Sequence, residues 1–166
     1  AAFPSVSHKF LLDTLKHMCL PDHIVRLVEA LYTDNKCHIW LGGGRHDGFC
    51  IEAGIRQGCP LSPLLFAVVA DLLLRRLGRV FPSAMLRAYA DDLAMIIPEG
   101  IQAVTQLERT FSEYALISGL ELNIPKTSVM PLFVVDTTSL SLDISARAPS
   151  WAGVRVSYSA KYLGFY

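Results

Sequence analysis

The run LSPLLFAVVADLLL, residues 61–74, sets the strongest limit on what this chain can fold into. It is too apolar to face water, and it falls short of the ~20 residues needed to span a bilayer. Asp71 interrupts it, and Arg75 and Arg76 follow it directly. Such a segment is a core helix, and a core helix needs other layers to cover it. The chain can supply them, because 52% of its 166 residues are hydrophobic and its mean hydropathy is +0.37. The helix is predicted from Pro63 to Leu77, with Ser62 as its cap and Gly78 near its end.

The flanking segments read as the remaining layers. SVSHKFLLDTLKHM places Phe10, Leu11, Leu15 and Met18 at helical spacing, with Ser5 or Ser7 available as a cap, and predicts a helix over 5–19. Pro21 opens a second helix, PDHIVRLVEALYT, with Ile24, Leu27, Val28 and Leu31 on one face. KCHIWL, the glycine-rich turn GGGRHDG and FCIEAG predict a β-hairpin. MLRAYA and LAMIIP are short runs of strand formers on either side of Asp91 and Asp92. IQAVTQLERTFSEYALIS is an amphipathic helix closed by Gly119. Then come KTSVMPLF, a polar stretch with Pro149, and two late strand candidates, GVRVSYS and KYLGFY. This order predicts an α+β sheet domain rather than an alternating parallel-sheet fold.

Charge and cysteine content narrow the function classes. Fifteen basic residues balance fifteen acidic ones, which argues against a self-sufficient nucleic-acid-binding module. A catalytic core that borrows its basic surface from neighbouring segments escapes that objection. Cys19, Cys37, Cys50 and Cys59 form no CxxC pair, and zinc wants closer ligand spacing. A Cys50–Cys59 disulfide stays open, with buried free thiols in a reducing compartment the favoured reading. No charged n-region with a cleavage site is evident, so neither a signal peptide nor a membrane partner is expected. With no initiator methionine, the chain reads as a piece of a longer protein. Trp40, Trp151, Phe66, Phe81 and Phe111 are assigned to the core, and Arg75, Arg76 and Arg79 to a solvated helix face. The five histidines are too scattered to pair on a metal, although His8 is placed to pack or hydrogen-bond near the N-terminal segment.

Two stretches carry chemistry. In AYADDLAMI, Asp91 and Asp92 lie at the expected tip of a hairpin whose strands are apolar on both sides. Unpartnered carboxylates in an apolar sheet cost several kcal/mol, roughly, and a like-charged pair is worse. Either the tip is a plain water-exposed turn, or it holds a hard cation such as Mg²⁺. In GIRQGCPLSPLLF, Gly54, Gly58, Pro60 and Pro63 mark a stiff loop feeding the core helix. There Gln57, between Arg56 and Gly58, offers a polar group beside bare backbone, which suits close approach to a base or sugar.

Together these stretches resemble reverse transcriptase. GIRQGCPLSPLLF resembles motif B of the non-LTR retrotransposon (LINE-type) enzymes, and YADD resembles motif C. AAFPSVSH is similar to the end of motif A, GLELNIPKTSVM to motif D, and KYLGFY to motif E, in matching order. The resemblance implies a polymerase palm over residues 1–166, an antiparallel sheet carrying YADD backed by helices 5–19, 61–77 and 101–118. It implies RNA-directed DNA polymerase activity in the parent protein, with two Mg²⁺ ions and an RNA template, DNA primer and deoxynucleotides as partners. Asp91 would be a metal ligand with Asp92 beside it. Phe3 would sit under the sugar of the incoming nucleotide. Arg56, Gln57 and Gly58 would line the nucleotide and template pocket. Lys126 would protonate the pyrophosphate leaving group, and Tyr162, Leu163 and Gly164 would form the primer grip.

The departures matter as well. The motif A aspartate that completes such a site falls three residues before Ala1, and Asp13, on the following helix, is no substitute for it. Pro4 stands where many relatives carry a polar or acidic residue. Fingers, thumb and any endonuclease are expected elsewhere in the parent, and the isolated chain is expected to be inactive. Two alternatives stay open: a non-catalytic retroelement remnant or palm scaffold that binds nucleic acid, and a group II intron or retron-type enzyme. An intracellular location, nuclear for the parent element, goes with the first reading.

Overall fold

The computed structural model describes residues 2–160 together with Tyr162 and Leu163. The chain divides into two compact units, 1–71 with 117–120 and 72–116 with 121–166. Both mix helices with small sheets, and the architecture is α+β as predicted. Among the described residues the strands form three two-stranded sheets rather than one continuous sheet.

In the first unit, helix α1 runs His8–His17, and the Ser7 side chain accepts from the Phe10 N–H at its start. Helix α2 runs Asp22–Tyr32 and buries Val25, Val28 and Tyr32. Its predicted inner face is corrected by one step, because Ile24 and Leu27 are exposed. Strands β1, Lys36–Leu41, and β2, Gly44–Cys50, pair antiparallel around a turn of only two residues. Gly42 and Gly43 both take positive φ, +60° and +79°, which is why a Gly-Gly step closes so tight a hairpin. The expected second strand, FCIEAG, therefore starts earlier than predicted. Val6, Leu11, Leu15, Val25, Val28, Ile55, Leu65, Phe66 and Val69 are buried in this unit.

Helix α3, Ser62–Val80, outruns its predicted end. Gly78 stays helical, since positive φ, the usual stop signal, is absent there, and Pro82 follows the last turn. Strands β3, Met85–Tyr89, and β4, Asp92–Ile96, form the second hairpin. Helix α4, Val104–Ser118, follows a 3-10 turn over Gly100–Ala103 and closes at Gly119, φ +76°, as predicted. Arg76 on α3 pairs with Glu113 on α4, which also takes the Arg109 guanidinium at 2.7 Å, so Arg76 is not the simply solvated group expected. Arg109, then Arg76, hold the Glu113 carboxyl below its ordinary value.

The polar stretch after KTSVMPLF contains a helix that composition hid. Helix α5, Thr137–Arg147, is capped by Asp136, whose carboxylate accepts from the N–H groups of Thr138 and Ser139. Strands β5, Ser128–Val129, and β6, Arg155–Val156, pair in parallel, shorter than predicted. The second unit's core is Leu77, Phe81, Ala103, Val104, Leu107, Ile144, Ala148, Trp151 and Val154. Trp151, Phe66 and Phe81 are buried as expected, but Trp40 is 72% exposed and contradicts its core assignment. The cysteines are free, as favoured, yet Cys19 and Cys50 are exposed rather than buried. Among the described residues no helix is long and apolar enough to cross a membrane.

Candidate active site

The N-terminal segment is locked to the start of the GIRQG loop by its backbone. The Ile55 N–H donates to the Phe3 carbonyl and the Gly54 N–H to the Val6 carbonyl, both at 2.7 Å. Ser7 bridges Ala53 and donates its N–H to the Ser118 carbonyl at 2.8 Å. Chains this close leave no room for side chains at the crossing points. At Gly54, φ +99°, a Cβ would lie 2.7 Å from the Pro4 carbonyl oxygen; at Gly119, φ +76°, it would collide with that of Ser5. Both glycines read in sequence as punctuation are thus contact residues.

This clamp sets the place of Phe3. Its ring stacks on the buried Phe66 ring of α3, centroids 4.4 Å apart and planes within 14°. The Nε2–H of His8 donates to the Gly54 carbonyl at 2.8 Å, while its ring tilts against Tyr32. The expected role of His8 near the N-terminal segment is borne out.

The loop itself is pinned from two sides. The Arg56 guanidinium donates to the Asn35 side-chain oxygen at 2.7 Å, and the Ser62 hydroxyl donates to the Arg56 carbonyl. Ser62 therefore stabilises the loop feeding α3. Burial pushes the neighbouring Tyr32 phenol upward, opposed by the Arg56 backbone and the Ser62 hydroxyl. Gln57 and Gly58 form an exposed turn. Gly58 has φ +85° and open space around a would-be Cβ, so its requirement is conformational rather than steric.

The YADD hairpin lies in the second unit. Tyr89 pairs with Asp92 across β3–β4, which leaves a two-residue turn of Ala90 and Asp91. Ala90 takes φ +49°, a conformation that strains a residue with a Cβ. Asp92 is the first residue of β4, so the aspartates occupy successive positions at the tip, both exposed. Leu86, Leu93 and Met95 pack on the core, whereas Met85, Tyr89 and Ile96 are exposed. The expectation of a buried sheet is corrected: only one face is covered, because alternation along β3 and β4 turns the other outward.

Among the described residues no cation pairs with either aspartate, and their hard oxygens suit Mg²⁺. No cluster of three or more metal-ligating side chains occurs among those residues. Lys126 is exposed at the end of the 3-10 turn Ile124–Lys126, which Asn123 caps by accepting the Lys126 N–H. Leu163 takes φ +51°, and Gly164 lies outside the described residues. The first unit thus gathers Phe3, Arg56, Gln57 and Gly58, while Asp91, Asp92, Lys126, Tyr162 and Leu163 belong to the second. Sequence reasoning missed Asn35 and Phe66 as supports; only the apolar spacing of SPLLF hinted at the latter.

A sequence profile of the family described as "Reverse transcriptase (RNA-dependent DNA polymerase)" matches residues 1–166. The chain belongs to the reverse transcriptase family. It is 30% identical, over 84% of its length, to a "Retrovirus-related Pol polyprotein from type-1 retrotransposable element R2" of Popillia japonica. It is 34% identical, over 75% of its length, to the corresponding polyprotein of element R2DM of Drosophila melanogaster. The "Transposon TX1 uncharacterized 149 kDa protein" of Xenopus laevis is 28% identical across 98% of the chain. These alignments cover 24%, 12% and 13% of the three relatives, so the chain spans about a quarter of their length or less. The resemblance to reverse transcriptases of non-LTR retrotransposons, read from GIRQGCPLSPLLF and YADD, is borne out by these relatives.

Proposed function

We propose that this chain is the palm of an RNA-directed DNA polymerase whose parent protein extends a DNA primer on an RNA template. The observation that carries the reading is the YADD tip. It presents two adjacent, exposed carboxylates, without a cation partner among the described residues, in a chain that the family profile matches throughout.

Reverse transcriptases work with divalent metal ions. Two Mg²⁺ ions, when bound, stabilise charge on the attacking and leaving oxygens of the phosphoryl transfer. On this reading Asp91 would hold the metal directly and Asp92 would support the same site, together with the motif A carboxylate expected in the parent protein. Phe3, backed by Phe66, presents a flat ring beneath the sugar of the incoming nucleotide. Arg56, Gln57 and Gly58 line the nucleotide and template pocket. Lys126, poised near the triphosphate, donates a proton to the departing pyrophosphate. Tyr162, Leu163 and Gly164 hold the primer end. Catalysis of this kind is mostly positioning and charge stabilisation.

The test is primer extension by the parent protein on an RNA template with deoxynucleotides and Mg²⁺. Asp91→Ala is expected to reduce extension by about 1,000-fold or more while circular dichroism stays unchanged. Near-normal extension would remove Asp91 from the metal site.

A further inference from the structure

Trp40 is the aromatic residue that the fold leaves least accounted for. It is 72% exposed, whereas Trp151 is 6% exposed. Its place on β1 explains what surrounds it. Trp40 sits directly across from Arg45 on β2, and His38, on the same face, sits across from Asp47. The Arg45 guanidinium donates to the His38 Nε2 at 2.7 Å, so that nitrogen is an acceptor and the ring proton lies on Nδ1, 3.8 Å from the Asp47 carboxylate. The register sets the Arg45 side chain on the face that carries Trp40, and its hydrogen bond to His38 fixes the guanidinium there, while the His38 Nδ1 itself has no hydrogen-bond partner among the described residues.

The charge pattern says what the face would meet. The face carries Lys36 and Arg45 against the exposed carboxylate of Asp47, in a chain that is formally neutral as a whole. The base of the hairpin is tied to the GIRQG loop. Asn35, next to Lys36, accepts from Arg56 and from the Ile51 N–H. A glycine at 48 lets the strand bulge against Cys37, which a Cβ there would block. From Lys36 to Trp40 the strand spans roughly 13 Å. An exposed indole on the face that carries Arg45, on a strand that begins at Lys36, is a combination that stacks unpaired bases and follows a phosphate backbone.

We propose that the Trp40–Arg45 face of the β1–β2 hairpin is a stacking platform for the unpaired RNA template, on the side of the first unit that carries Arg56, Gln57 and Gly58. The identity of the strand rests on the polymerase reading above; the platform itself needs no metal site. A base stacks on the indole, and Arg45 and Lys36 meet the phosphates on either side.

The experiment is a titration of the 166-residue chain with a short single-stranded RNA, followed by tryptophan fluorescence and by anisotropy of labelled RNA. Because Trp151 is buried, quenching reports on Trp40. Quenching is expected, with binding weakened about tenfold in Trp40→Ala and nearly kept in Trp40→Phe, which retains a stacking ring. Arg45→Gln is expected to flatten the salt dependence of binding. Unquenched fluorescence on saturation with RNA, unchanged affinity in Trp40→Ala, or equal binding of duplex would overturn the platform. Concentration-dependent burial of Trp40 without RNA would also overturn it, by making the face a contact between copies. Extension by the parent with no role for Trp40 defeats this proposal alone, and Trp40-dependent RNA binding by a parent protein that does not extend a primer defeats the polymerase reading alone.

Discussion

The GIRQG loop and the YADD hairpin hold their functional groups in opposite ways. Around the loop, position is set by backbone. Phe3, Val6 and Ser7 are hydrogen-bonded to Ile55, Gly54 and Ser118, and two positive-φ glycines allow the approach. Arg56 is fixed at both its guanidinium and its carbonyl. At the hairpin, position is set by a two-residue turn and one packed face, and the carboxylates are left unpaired among the described residues. A shelf that must present a ring and bare backbone gains from many short contacts. On the polymerase reading proposed above, the tip keeps its oxygens uncommitted for a cation, so its rigidity has to come from beneath.

That contrast can be broken or sharpened by substitution. The largest effect is expected at Gly119. A Cβ there meets the Ser5 carbonyl at φ +76°, so Gly119→Ala should destabilise the chain by about 3 kcal/mol or more in urea unfolding. A loss below about 1 kcal/mol would show that the clamp yields easily. Next is the underside of the hairpin. Leu93 packs on the core from β4, and Leu93→Ala should cost about 2 kcal/mol, leaving the turn itself intact. If the aspartates were held by the turn alone, that change would leave extension by the parent untouched.

A smaller effect of opposite sign is expected at the tip. Ala90 sits at φ +49°, and Ala90→Gly should stabilise by about 0.5–1 kcal/mol once the greater freedom of unfolded glycine is counted. An unchanged melting temperature would mean that the strain is absent. The smallest effect concerns acid. Hydrogen bonds from the Ser139 hydroxyl, then the Ser139 and Thr138 N–H groups, hold the Asp136 carboxyl below its ordinary 3.8. A lowered folded value means that its stabilisation of α5 is present above 3.8 and is lost as pH falls through the folded value. Asp136→Ala should therefore make the acid limb of thermal stability shallower while neutral pH shows the ordinary loss of a helix cap.

Much of this was legible in the residues. Helical periodicity gave α1, α2 and α4, because each covers a core with one face. YADD and GIRQG were legible as motifs, since their residue types are chemically specific. Helix α5 was not, because serines and threonines mask Leu140, Ile144 and Ala148 at helical spacing, and only the Asp136 cap announces it. The extent of the sheets was not either. Apolar strands look alike whether one face or both are covered, and Met85, Tyr89 and Ile96 are exposed.

The sequence by itself determined the family, the order of its motifs and the adjacency of Asp91 and Asp92, because these depend on residue identity and spacing alone. Only the tertiary structure decided that Gly54 and Gly119 are points of closest approach, that Phe66 backs Phe3, and that Trp40 faces outward while Trp151 is buried. Those are facts about which surfaces meet across long separations in the chain. Local periodicity carries no information about them: an indole on a strand is core or platform according to whether another layer covers its face.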